Sequence, residues 1–354
     1  MLMVNKFDRL KIIAPLDSIK SLDTDSNDVL YRPTVNKSRE IESESWQVLG
    51  NKHYGIRRTA VNAGRNEVTI DFSAKILLDD YNKLVSINNI QQCLNRYSEA
   101  TPLKLNVQKF MDSAKVINCD TTQMIYPDYD INLCTDSLMM YDTKDRCQVT
   151  RYFKKQNSGI EFNASIQKEK RRLILYDKHS SIMKGLKSTN IFLTKCRDPQ
   201  AIIDACRGSL RVEQTHSSLK SIRNRFKITE NSLVNVLHSV QSVNYNFFES
   251  VERKQKQPYE LGYQFDLFEH ADKSILDVVK EVGYRGIVAM CDYDIEKIKS
   301  VFRSYSDEKS SRYNHLKKCR SYLKIMLEEQ FQKNYKGQTS DKINNHIFEL
   351  IKVA

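Results

Sequence analysis

The alternation of apolar and polar positions divides the chain into a strand-rich part and a helical part. Residues 10–14 (Leu-Lys-Ile-Ile-Ala) read as a first strand. In residues 67–72, Val68, Ile70 and Phe72 point one way and Thr69 and Asp71 the other, the two-residue period of a half-buried strand. Residues 116–122 alternate again, with Ile117 and Cys119 suited to a core and Asn118, Asp120 and Thr122 opposite. Residues 160–166 and 171–176 read as a hairpin about the polar turn 167–170: Ile160, Phe162, Ala164 and Ile166 face inward, answered by Leu173 and Leu175. Arg172, Ile174 and Tyr176 fall on the other face. A short strand near residue 210 turns Leu210 and Val212 in and Arg211 and Glu213 out.

Helical spacing first shows in 86–98 (Ile87, Ile90, Cys93, Leu94) and dominates after residue 228. Thr229 is placed to cap a helix carrying Leu233, Val236, Leu237, Val240 and Phe247, and further helices are expected over 273–282, 293–304, 310–334 and 340–352. Residues 17–45 are rich in Asp, Ser and Asn and read as surface loop. Strands do not alternate with helices, so the expected class is α+β with a largely antiparallel sheet. The expected domains are 1–228, strand-rich, and 229–354, helical.

Charge adds a functional direction. The chain of 354 residues carries 56 Lys and Arg against 44 Asp and Glu, a net +12. Residues 1–150 hold 19 basic and 20 acidic residues, a net −1, and residues 151–354 hold 37 and 24, a net +13. Such asymmetry suits a polyanion bound mainly by the second part, while a merely soluble basic protein fits the total equally well. The eight cysteines form no CxxC pair and read as reduced thiols of the cytoplasm rather than a disulfide framework or zinc site. The first residues meet charge too early for a signal peptide, and no apolar run approaches the ~18 residues of a spanning helix, so no membrane partner is expected. No P-loop, GxGxxG, HExxH or GxSxG pattern occurs, which argues against an NTPase, a dinucleotide enzyme, a zinc protease and a serine hydrolase.

Three short strands each place a polar side chain away from the core: Asp120, Tyr176 and Glu213. Lys178 and His179 follow Tyr176. Carboxylates with a histidine suit Mg²⁺ or Mn²⁺, and a tyrosine hydroxyl, with a pKa of about 10, becomes a good nucleophile only beside a base or cation. Set against this, the chain has 18 tyrosines, and a tyrosine at a strand end is more often packing. The His-hydrophobic-His signature common among tyrosine nucleases is missing; the seven histidines are scattered.

In pattern and order, residues 5–230 resemble the gene II/gene X family of phage and plasmid replication proteins. The matching pieces are Ile12-Ile13-Ala14-Pro15, then Ile70 to Asn82 with its Ser73-Ala74-Lys75-Ile76-Leu77 segment, and Val116-Ile117-Asn118-Cys119-Asp120. Arg171 to His179, ending Tyr176-Asp177-Lys178-His179, and Leu210-Arg211-Val212-Glu213 complete them. The resemblance implies rolling-circle initiation at an origin: Tyr176 nicks one strand and forms a 5′-phosphotyrosine link, and Lys178 supports the phosphate. It also implies that Asp120 and Glu213 hold Mg²⁺ or Mn²⁺, with His179 as the candidate replacement for the family's missing acidic ligand, and that a host helicase and polymerase act next in a bacterial cytoplasm. Arg171, Arg172, Arg211, Lys317, Lys318 and Arg320 are the expected DNA contacts. The chain departs from the family at Ser181, where an acidic residue is usual. That departure keeps open a non-catalytic DNA-binding regulator of the same fold. A basic protein that binds a protein partner is the reading outside the family.

Overall fold

The computed structural model describes residues 5–35, 40–141, 143–144, 146–152, 159–166, 169–184, 190–239, 242–252, 275–293, 295–305, 309–335 and 339–353. Its fold is α+β, with a large antiparallel sheet and a helical C-terminal part. The strands are β1 (Phe7–Pro15), β2 (Ile19–Leu22), β3 (Val29–Tyr31), β4 (Thr34–Val35), β5 (Ile41–Ser43), β6 (Ser45–Val48) and β7 (Ile56–Asn62). They continue with β8 (Glu67–Ser73), β9 (Leu103–Leu105), β10 (Lys115–Ile125), β11 (Cys147–Tyr152), β12 (Gly159–Ile166), β13 (Glu169–Asp177) and β14 (Leu210–His216). Ten of them form one sheet in the order β11-β12-β13-β14-β10-β1-β8-β7-β6-β3.

The expected strands are present, each longer than its clearest alternation. The hairpin pairs Phe162 with Leu173 and Ile160 with Leu175. On the central strands Leu10, Ile12, Ile70, Phe72, Val116 and Cys119 are fully buried on one face. Here the structure corrects one expectation: Val116, not Ile117, enters the core. The β1–β10 register passes from Lys11↔Asn118 to Ile12↔Val116, leaving Ile117 as an extra residue on β10. Residues 17–45, expected as loop, contribute β2 to β5, strands too short or too polar to give a pattern.

The helices α1 (Ile90–Ala100), α2 (Val107–Ser113), α6 (Leu219–Phe226), α7 (Leu233–His238) and α8 (Val243–Val251) bury apolar side chains with the sheet. Phe7 stacks on Phe226, and Phe162 meets Phe247 and Phe248 edge to face. The single helix expected after Thr229 is in fact α7 and α8, with extended backbone at Ser239, and the cap is Ser232, whose side chain accepts from the Asn235 amide. Between α2 and α8 in sequence lie α3 (Ile131–Met139), α4 (Lys178–Lys184) and α5 (Pro199–Asp204).

The chain divides into two units, and not at residue 228 as expected. The first comprises residues 1–135, 143–252 and 345–354, because Leu233, Val236, Leu237 and Val243 of α7 and α8 belong to the core of the sheet. The second comprises residues 136–142 and 253–344. Its helices α9 (Ile275–Met290), α10 (Ile295–Tyr305) and α11 (Lys309–Asn334) enclose a small core of Tyr284, Val288, Cys291, Ile298 and Cys319. The last helix, α12 (Ser340–Val353), begins in the second unit and ends in the first. Among the described residues no helix is long and apolar enough to cross a membrane.

A buried charged cluster as candidate active site

Directly paired residues of an antiparallel ladder share a face. Tyr176 pairs with Arg211, Ile174 with Glu213, Glu213 with Thr122, and Thr215 with Asp120. Asp120 in turn pairs with Arg9 of β1. Asp120, Tyr176, Arg211 and Glu213 therefore lie on one face of the sheet, opposite Leu173, Leu175 and Val212. This face is not open to water where β13 and β14 cross it. Tyr176 is 7% exposed and Arg211 fully buried, because Tyr81, from the 3-10 segment Ala74–Lys83, lies over them. Non-helical backbone at Leu78 (φ 51°, ψ −115°) divides that segment, and Tyr81 packs on Phe192 with ring centroids 4.9 Å apart.

Arg211 organises the cluster. Its Nε lies 2.6 Å from Glu213 Oε1 and its Nη2 2.5 Å from Asp8 Oδ1, while its Nη1 donates to the Tyr81 hydroxyl at 2.5 Å. The two carboxylate contacts are close charge contacts rather than aligned hydrogen bonds. Tyr176 donates its hydroxyl proton to the same Glu213 Oε1 at 2.8 Å. Asp8 reaches the cluster through a bulge: the β1–β10 register steps from Phe7↔Thr121 to Arg9↔Asp120, so Asp8 is an extra residue beside Arg9. Arg9 itself bonds Asp71 through Nε at 2.9 Å and Nη2 at 2.6 Å.

Lys178, the first residue of α4, is 6% exposed and lies near two rings, its Nζ 5.3 Å from the Tyr81 centroid and 5.7 Å from that of Tyr176. Burial, and then the positive charge of Arg211, lower its pKa to about 7. Burial, and then the carboxylate of Glu213, push the Tyr176 hydroxyl well above the usual phenol range. Asp8 feels burial most, yet Arg211 and Lys178 outweigh it and hold the carboxyl below its ordinary value. For Asp120 burial wins: it raises the carboxyl to about 6, against a hydrogen bond from Thr215 and the charge of its cross-strand neighbour Arg9. A lysine that loses its charge near neutrality, beside a tyrosine hydroxyl seated on the Glu213 carboxylate, forms an environment suited to proton transfer.

The sequence-derived candidates divide accordingly. Tyr176, Lys178, Glu213 and Arg211 come together. Arg211, expected to touch DNA, is instead enclosed between Asp8, Glu213 and Tyr81, because the strand face that carries it is covered. His179 follows Lys178 on α4 but joins no ligand cluster. Among the described residues no group of three or more His, Cys, Asp or Glu side chains is placed to hold a metal ion. Glu213 is already engaged by Arg211 and Tyr176, so Asp120, Glu213 and His179 do not fit Mg²⁺ or Mn²⁺ in this arrangement, and no step below uses a metal. Arg172 is half-exposed and bonds Glu161 through Nε and Nη2, both at 2.9 Å. Arg171 lies on the opposite face. Lys317 and Lys318 are exposed on α11 with Arg320 half-buried. Asp8 and Tyr81 escaped sequence reasoning: Asp8 because a bulge displaces it, Tyr81 because its segment has no regular period.

No family model matches the chain, and no curated protein matches it. Among solved structures the chain is similar to a rolling circle replication initiator protein from Geobacillus stearothermophilus, at 9% identity over 72% of this chain and 88% of that one, with a TM-score of 0.33. So low a score carries no argument about function, and the reading that follows rests on the cluster about Tyr176.

Proposed function

We propose that this chain starts DNA replication by nicking and rejoining one strand at an origin, with Tyr176 as nucleophile. The observation that carries the reading is the Tyr176 hydroxyl seated on Glu213 at 2.8 Å, beside Lys178 and Arg211. The hydroxyl is protonated at neutral pH and needs an acceptor at the moment of attack. Glu213 Oε1 takes that proton as the Tyr176 oxygen bonds to phosphorus. The bond from phosphorus to the 3′ oxygen breaks, and Lys178 in its charged form gives the leaving oxygen a proton. The products are a 5′-phosphotyrosine link and a free 3′-hydroxyl, which a host polymerase extends behind a host helicase. The link conserves the phosphodiester energy, so the reverse sequence rejoins the strand. Arg211 holds Glu213 and Asp8 in place and adds positive charge near the phosphate. Lys317, Lys318 and Arg320 of α11 supply sequence-independent contacts to phosphates, so binding falls with salt.

The test is nicking of supercoiled DNA carrying the origin of the element that encodes the chain, for wild type and Tyr176→Phe. Open circles bearing 5′-linked protein from wild type alone support the reading. Equal nicking by both assigns the nucleophile elsewhere. A second reading, a DNA-binding replication regulator without nicking activity, is favoured by the burial of Tyr176 and predicts origin binding by both proteins with no nick from either.

A further inference from the structure

On the other face of the sheet, remote from Tyr176, lies a second cluster of charge. Arg171 precedes the Leu173–Gln214 pair by one step on that face, and His216 follows it by one step. Arg225, in the last turn of α6, completes the group. One carboxylate answers both arginines: Glu169 lies 2.8 Å from Arg225 Nη2 and 3.8 Å from Arg171 Nε. The arginine side chains are only 14% and 10% exposed, whereas Glu169 is 31% exposed. His216 adds no negative charge. Its Nε2 meets the Thr121 hydroxyl at 3.0 Å, and burial, with Arg225 and Arg171 nearby, keeps it neutral with a pKa of about 3.

The cluster thus holds two guanidinium groups against one carboxylate. Three of its buried nitrogens have no hydrogen-bond partner: Arg171 Nε, Arg225 Nε and His216 Nδ1. Arg171 Nη1 makes only a 3.4 Å contact to the Ser250 hydroxyl of α8. Buried donors are normally satisfied, and an uncompensated buried charge is costly. Two guanidinium forks with free donors match the oxygens of a phosphate, for which arginine is well shaped.

We infer that Arg171 and Arg225 form a binding site for a phosphate-type oxyanion, where β13 begins and β14 ends, between α6 and α8. The occupant is a free phosphate or a phosphodiester of the DNA backbone. The site is separate from Tyr176: five residues of strand at about 3.3 Å each put the two roughly 16 Å apart along β13, on opposite faces. The inference therefore stands or falls without the nicking reading. Glu169 competes with the anion for both arginines and limits its affinity.

The test uses the full chain and inorganic phosphate, titrated against chloride at equal ionic strength, with melting temperature and calorimetric heat as readouts. Wild type is expected to show a saturable rise of several degrees specific to phosphate. Arg171→Gln and Arg225→Gln should each weaken phosphate binding about tenfold or more. Glu169→Gln should strengthen it, an outcome that a purely structural salt bridge does not produce. A short duplex then identifies the source. If saturating phosphate and the arginine variants both weaken duplex binding, the occupant is a backbone phosphodiester; if neither does, it is free phosphate. The inference is overturned if wild type shows no phosphate-specific shift, or if Glu169→Gln binds phosphate no better than wild type.

Discussion

Replacing Arg211 by methionine tests whether the charge cluster is built as described. Methionine keeps much of the side-chain volume and removes the guanidinium. Asp8 and Glu213 are then left with side chains 19% and 18% exposed and no cation between them. Removing one partner from a buried ion pair typically costs about 3–5 kcal/mol. At about 2–4 °C per kcal/mol for a unit of this size, the melting temperature should fall by roughly 6–20 °C at pH 7.5. The pH dependence has a definite sign. Arg211 helps to hold the Asp8 carboxyl below its ordinary value, so the pairing contributes stability that is present above the unfolded pKa and lost as pH falls through the folded one. Without Arg211 the buried Asp8 carboxylate takes up its proton at higher pH, and the penalty should shrink between pH 7.5 and pH 4.5. Urea unfolding at the two pH values reads both effects. The control is Arg172→Met, whose partner Glu161 forms an ion pair with a half-exposed guanidinium and should cost less than about 1 kcal/mol. A loss below 1 kcal/mol for Arg211→Met at pH 7.5, or one that does not change with pH, would refute the buried-pair account.

Further expectations concern single groups. Asp120 carries a carboxyl raised to about 6, so its ionisation destabilises the fold increasingly as pH rises from its ordinary value through 6. Asp120→Asn should therefore stabilise the chain at pH 8 and leave it unchanged at pH 3.5, as read by thermal melts. Lys178, lowered to about 7, is charged when unfolded and largely neutral when folded between pH 7 and 10. Lys178→Met should raise stability more at pH 7 than at pH 10 while abolishing nicking; equal stabilisation at both pH values contradicts the buried amine. Seven of the eight cysteines are buried and Cys196 is partly exposed. A native thiol titration should show one reactive group, absent from Cys196→Ser, and early reaction of several thiols would contradict this packing.

The alternation of β13 and β14 made much of the candidate site legible, since it alone puts Tyr176, Arg211 and Glu213 on one face. What it could not convey is that this face is covered. Arg211 looked like a surface cation because the residues that enclose it, Asp8 and Tyr81, lie far away in sequence. Both occupy irregular backbone: Asp8 an inserted residue in β1, Tyr81 a 3-10 segment divided at Leu78. The metal expectation rested on the same kind of information. Faces could be assigned from the two-residue period, but not the distances that decide whether Asp120, Glu213 and His179 converge. The second cluster stayed hidden because its members come from β13, β14 and α6, and no sequence interval links Arg171 to Arg225. In the helical part, Thr229 read as a cap although Ser232 takes that role, since both are followed by the same apolar spacing.

The central claim is that Tyr176 becomes linked to DNA, and mass spectrometry of the covalent adduct tests it most directly. Full-length chain is incubated with a single-stranded oligonucleotide spanning the origin nick site, digested, and searched for peptides carrying a 5′-nucleotide phosphate. The account predicts one modified peptide, containing residues 173–178 with the nucleotide on Tyr176, and its disappearance in Glu213→Gln, where the proton acceptor is lost. An adduct on Tyr152, whose ring centroid lies 5.9 Å from that of Tyr176, or on Tyr81, with Tyr176 unmodified, would contradict it.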